Sequence, residues 1–146
     1  MRLFSRIGIT LIVFLITITA HAQSIEQKDA MAQYTPKFKE AADSVNSRCG
    51  SRIAAKIDWN SFYNESWDKH NPAAWCIQAL DSIGFQCGDS AALKSAIAAK
   101  VQNFSCAKGA TGKPLFSFNA HTVTYSLDWN ASNVEEKLLA FLKKGL

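Results

Sequence analysis

Residues 115–129 read Leu115-Phe116-Ser117-Phe118-Asn119-Ala120-His121-Thr122-Val123-Thr124-Tyr125-Ser126-Leu127-Asp128-Trp129. Two β-rich runs, 115–119 and 122–128, flank a short turn at Asn119-Ala120-His121. In the second run Val123, Tyr125, Leu127 and Trp129 recur at every other position, so all four fall on one face of a strand. A lone hairpin is marginal in water, so the rest of the chain must supply more strands and a covering layer.

The segment 52–59 supplies the third strand. Ile53, Ala55, Ile57 and Trp59 alternate with Arg52, Ala54, Lys56 and Asp58, the same period of two. The remaining segments have helical spacing. Thr35-Pro36 is an N-cap followed by a first-turn proline, and Phe38, Ala41, Ala42 and Val45 continue at helical intervals until Gly50. Asn71-Pro72 repeats that signal ahead of Trp75, Cys76, Ala79, Leu80 and Ile83, with Gly84 as the expected stop and Phe85 folding back on the last turn. Asp89 or Ser90 caps a further helix with Leu93, Ala96, Ile97 and Val101 on its stripe, and 101–106 reads either as its last turn or as a short strand. Ser132-Asn133-Val134-Glu135 has the form of a capping box, opening a closing helix with Leu138, Leu139, Phe141 and Leu142. The expected fold is a single α+β domain over 23–146. Its order is α-β-α-α-β-β-α, and helices cover a small antiparallel sheet of about three strands.

Residues 1–22 read differently. Arg2 and Arg6 precede an apolar run over 7–18, and Ala20-His21-Ala22 closes it in the small-x-small pattern of a cleaved secretory signal peptide. The run falls short of the ~20 residues that span a bilayer, and no later stretch is long and apolar enough, so no membrane span is expected after cleavage. The expected destination is the periplasm or the extracellular space. In such an oxidising compartment Cys49, Cys76, Cys87 and Cys106 form two disulfides. Their wide spacing resembles neither a zinc ribbon nor a C-x-x-C redox site, so no metal and no cofactor is expected. The preferred pairs are Cys76–Cys87, stapling a helix to its exit turn, and Cys49–Cys106. Cys49–Cys76 with Cys87–Cys106 is the alternative.

Removing Arg2 and Arg6 takes the 16 basic residues to 14, against 12 acidic. With charges of both signs interspersed, the chain lacks the basic stripe that a nucleic-acid face requires. Chemistry concentrates instead in the loop 59–75, where Trp59, Phe62, Tyr63, Trp67 and Trp75 lie among Asp68, His70 and several amides. Trp59 and Trp75 have core positions by periodicity, and aromatics of this kind also fill small cores. Tyr63, Trp67 and His70 belong to no periodic face and are the candidate binding residues, for a protein partner or a glycan.

Asp58 and Asp128 close two strands with the same Asp-Trp-Asn sequence. They would form an acid–base pair if adjacent, and strand-end turn caps otherwise. Three functions follow. The first is a non-catalytic binding module of the cell envelope, such as an inhibitor or immunity-type protein. The second is a small envelope hydrolase using Asp58, Asp128 or His70. The third is an accessory subunit of a secreted assembly that pairs through a strand edge. No catalytic residue is assigned, and the oligomeric state is left open.

Overall fold

The computed structural model describes residues 24–67 and 70–146. The expected leader over 1–22 and Asp68 lie outside them. The architecture is α+β, with a helical layer on one face of a four-stranded mixed sheet. In chain order the elements are α1 (Ile25–Cys49), β1 (Ala54–Ile57), a 3-10 turn (Trp59–Phe62), α2 (Pro72–Asp89), α3 (Ala91–Lys100), β2 (Asn103–Lys108), β3 (Phe116–Asn119), β4 (Thr122–Leu127) and α4 (Val134–Gly145).

The sheet order is β1-β2-β4-β3. Strands β1, β2 and β4 run parallel, and only β3 is antiparallel, to β4. This corrects the expected antiparallel sheet of three. The extra strand is β2, the segment read ambiguously from sequence, and α2 and α3 form the long crossover that a parallel β1–β2 pair requires. Parallel sheets are usually covered on both faces and read as continuous apolar runs. Among the described residues one face only is covered. Phe104, Cys106, Val123, Tyr125 and Leu127 are buried beneath the helices, whereas Ala54, Lys56, Asn103, Ser105, Thr122 and Thr124 on the other face are not. The strands therefore alternate as antiparallel ones do.

Three helix boundaries also differ from expectation. First, α1 starts eleven residues before Pro36, at a capping box in which Ser24 Oγ accepts from Gln27 N and Gln27 Oε1 accepts from Ser24 N. Pro36 lies inside the helix on its exposed side, where the carbonyl deprived of a partner is open to water, and the Thr35 hydroxyl donates back to Met31 O at 2.6 Å. The left-handed Gly50 (φ 65°) ends α1 as expected. Second, Gly84 does not end α2. It is buried against α1, and a Cβ there would lie 3.1 Å from Val45 Cγ2, so it serves close helix packing. Third, α4 begins at a left-handed Asn133 (φ 55°) whose side chain makes no capping bond, so the Ser132 capping box does not form.

The disulfides join Cys49 to Cys87 and Cys76 to Cys106, with Cα separations of 5.1 and 5.8 Å. The preferred pairs, Cys76–Cys87 and Cys49–Cys106, are thereby corrected. Because α2 continues through Gly84, Cys76 and Cys87 are eleven residues apart in one helix, about 16 Å along its axis. A disulfide cannot bridge Cα atoms more than about 7 Å apart. Instead one bond ties the end of α1 to α2, and the other ties the start of α2 to the central strand β2. Among the described residues no helix is long and apolar enough to cross a membrane.

One core side chain carries an unmet demand. Tyr125 is fully buried, with its ring stacked on Phe116 at 5.0 Å, and its hydroxyl has no hydrogen-bond partner among the described residues. Burial, helped by the nearby Asp128 carboxylate, pushes its ionisation from the ordinary value near 10 up to about 12. Removing a buried hydroxyl that bonds nothing relieves its desolvation cost, so Tyr125→Phe is expected to raise stability by about 1 kcal/mol in urea unfolding at pH 7. The raised value means the folded state holds this proton more tightly than the unfolded chain. Its contribution is complete below pH 10 and lost as pH rises toward 12. Native protein should therefore lose more stability than Tyr125→Phe across that interval. Equal losses in parallel alkaline titrations followed by circular dichroism would refute this origin.

Candidate functional site

The parallel strands β1, β2 and β4 end on the same side of the sheet. Lys108 is the last residue of β2, and Trp59 and Trp129 lie two residues beyond the ends of β1 and β4. The two Asp-Trp-Asn sequences thus occupy equivalent strand exits, with β2 between them. Strand ends of this kind are where α/β sheets tend to gather their binding residues.

The loop after β1 brings its aromatics to these exits. Ser61 Oγ donates to Asp58 O at 2.6 Å and accepts from Lys108 N at 2.9 Å, fixing the 3-10 turn against β2. Gln27 Nε2 donates to Tyr63 O at 3.0 Å, so the first turn of α1 holds the end of the 3-10 turn. Trp67 lies against Trp59 with ring centroids 5.5 Å apart, and its Nε1 donates to Phe62 O at 3.0 Å. His70 stacks on Trp129 at 4.9 Å, with 22° between the ring planes. Phe62 and the edge-on Trp75 approach Trp129 at 6.1 and 6.2 Å.

Glu65 ties the corner together. Its Oε2 accepts from Trp129 Nε1 at 2.9 Å, and its Oε1 accepts from Lys108 Nζ in an ion pair. The Lys108 hydrogen bond holds the Glu65 carboxyl below its ordinary value of 4.5, and the Trp129 bond and the charges of Lys108 and His70 act the same way against partial desolvation. A depressed value means that the pair contributes above pH 4.5 and that its contribution is lost as pH falls through the lower folded value. The Lys108 side chain is 40% exposed, so solvent limits the pair to less than about 1 kcal/mol of stability. The clearer readout is local. In the native protein the Trp129 indole N–H resonance should move as pH falls below 4.5, and in Glu65→Gln it should stay put. An unchanged titration in that variant would place the acid-sensitive group elsewhere.

The sequence candidates divide as follows. Trp67 and Tyr63 are half-buried, with Trp67 in the Trp59 pair and Tyr63 held through its backbone, whereas His70 is exposed. The structure brings His70 to Trp129 and Trp67 to Trp59. Neither Trp59 nor Trp75 is fully buried, so periodicity overstated their share of the core. Sequence reasoning missed Glu65 and Lys108, and it used Trp129 only as a strand-face residue. The repeated Asp-Trp-Asn was the available signal for Trp129.

Asp58 and Asp128 do not adjoin, because β2 lies between their strands and sets them about two strand spacings apart, near 10 Å. Asp128 Oδ1 accepts from Asn130 N at 3.0 Å and Asp128 O from Ala131 N at 2.9 Å, the bonds of a strand-end turn. His121 lies in the hairpin turn, where it and Ala120 both have positive φ. A concavity of about 620 Å³ between α1, α2 and α4 is lined by Arg48, Asp81, Phe85 and Glu135 among others, and not by Asp58, Asp128 or His70. Among the described residues no group of three His, Cys, Asp or Glu side chains could hold a metal ion. No protein family, curated protein or solved structure matches the chain.

Proposed function

We propose that the protein is an exported, non-catalytic binding module that engages a partner protein through the aromatic corner, in the manner of an inhibitor or immunity-type protein. The leader pattern over 1–22 and the two disulfides support export, since disulfides persist in oxidising compartments. The observation that carries the binding reading is the fixation of Trp129. Its N–H is held by Glu65 and its face by an exposed His70, with Lys108 anchoring Glu65 from the neighbouring strand. Rings fixed before contact lose little freedom on binding, which is why aromatic anchors dominate interface energies.

The test is capture by the immobilised, processed protein from envelope and secreted fractions, repeated with His70→Ala and Trp67→Ala. His70 is exposed, so its truncation should leave the fold intact, with circular dichroism as the check. A single protein partner should be retained by the native chain and held at least about tenfold more weakly by His70→Ala. Retention of oligosaccharide in place of protein would make the ligand a glycan. A partner held equally by both variants would remove the corner from the interface.

A further inference from the structure

A second surface, which shares no residue with the aromatic corner, lies along the outer edge of the sheet. Strand β3 is the outer strand, and among the described residues no strand pairs with its free side. Ser126 N donates to Leu115 O at 2.8 Å, and Ser117 and Asn119 stand opposite Thr124 and Thr122. By the alternation of an antiparallel pair, Leu115, Ser117 and Asn119 direct their backbone groups to β4. Phe116 and Phe118 then direct their N–H and C=O outward. Exposed edges are commonly blunted by charge, as Lys56 does on β1, but Phe116–Asn119 carries neither a charged residue nor a proline.

Beside this edge runs a groove of about 340 Å³ between β3 and α4, lined by Lys113, Pro114, Leu115, Phe116, Lys137 and Phe141. Its floor is apolar, with Phe116 and Phe141 stacked at 5.8 Å. Its two charges are both positive, no carboxylate lines it, and neither lysine is ion-paired among the described residues. Lys144, one turn beyond Phe141 on α4, extends the positive flank.

We infer that the β3 edge and this groove together bind an extended, acidic segment of a partner protein by strand addition. The segment's backbone pairs with Phe116 and Phe118. Because strand side chains alternate, every second one turns toward α4, where an apolar residue fills the groove over Phe116 and Phe141. Acidic residues on either side meet Lys113 and Lys137.

The test is selection of a displayed library of linear random peptides on the full chain, with the double variant Lys113→Glu/Lys137→Glu as comparison. Both lysines are exposed, so the substitutions spare the fold. Selected peptides should combine an apolar residue with acidic neighbours. They should bind the double variant at least roughly tenfold more weakly, and on binding they should slow hydrogen exchange at the Phe116 and Phe118 amides. N-methylation of one alternate set of peptide amides should abolish binding, and methylation of the other set should not. His70→Ala should bind the same peptides unchanged, which separates this surface from the aromatic corner. The inference is overturned by failure to enrich any peptide, by peptides without acidic residues, by equal binding to the double variant, by loss of binding in His70→Ala, or by a concentration-dependent dimer that buries the β3 amides.

Discussion

A chain carrying Cys76→Ala and Cys106→Ala together is expected to lose about 4 kcal/mol of unfolding free energy. The bond closes a loop of 30 residues, and cutting it returns that closure entropy to the unfolded chain. Both cysteines are fully buried, Cys106 on the central strand and Cys76 near the start of α2, so the substitutions also leave small voids. The Cys49–Cys87 bond remains and restrains the unfolded state in part. Its loop of 38 residues overlaps the other between residues 76 and 87, so the two restraints are partly redundant and removing both bonds should cost more than the sum of the single losses. Urea unfolding of the three variants measures each term. A loss below about 1 kcal/mol for the first pair would show that the bond does little to restrain the unfolded chain.

Gly84→Leu is expected to cost about 3 kcal/mol, although leucine is a far better helix former than glycine. The reason is the approach of α1, where even a Cβ meets Val45 Cγ2 at 3.1 Å and Val45 Cα and Arg48 Cδ at 3.5 Å. A branched side chain cannot fit there unless the helices separate, which would strain the adjacent Cys49–Cys87 bond. Gly84→Ala provides the control. Its gain of about 1 kcal/mol in helix propensity opposes a contact that small shifts can relieve, so it should be close to neutral. Pairing Gly84→Leu with Val45→Ala should recover part of the loss. Thermal and urea unfolding check all three, and a neutral Gly84→Leu would mean that the α1–α2 contact yields freely.

The same glycine shows where local reading stops. The pattern Ile83-Gly84-Phe85 has the form of a helix terminus, and nothing nearby reveals that another helix needs the missing side chain. A helix that ended at Gly84 would bring Cys76 and Cys87 within reach of each other, so this one boundary carries the disulfide pairing with it. At α1 the Thr35-Pro36 signal was strong but misleading, because proline is tolerated on a wet helix face and the Ser24–Gln27 box lies in a weakly amphipathic stretch. The hairpin, by contrast, was legible in full, since Val123, Tyr125 and Leu127 alternate and the turn lies between them. Strand β2 was obscured because Asn103 and Ser105 face water, a composition more typical of loops than of a central parallel strand.

The candidate site was legible as a concentration of aromatics, and Trp67 and His70 do lie in ring pairs. What organises it was not legible. Glu65 reaches Lys108 across 43 positions and Trp129 across 64, and no local pattern specifies contacts at that range. They arise only when the parallel arrangement of β1, β2 and β4 brings the three strand exits together.

The interleaving of the two disulfides bears on what happens to the chain once it is cut. A single peptide-bond cleavage at any point between Cys49 and Cys106 leaves at least one bridge spanning the break, because the 49–87 and 76–106 spans overlap. The loop beneath the aromatic corner falls inside that interval. Clipped there by a protease, the molecule would keep all its pieces covalently joined, and the wound would be a nick and not a separation.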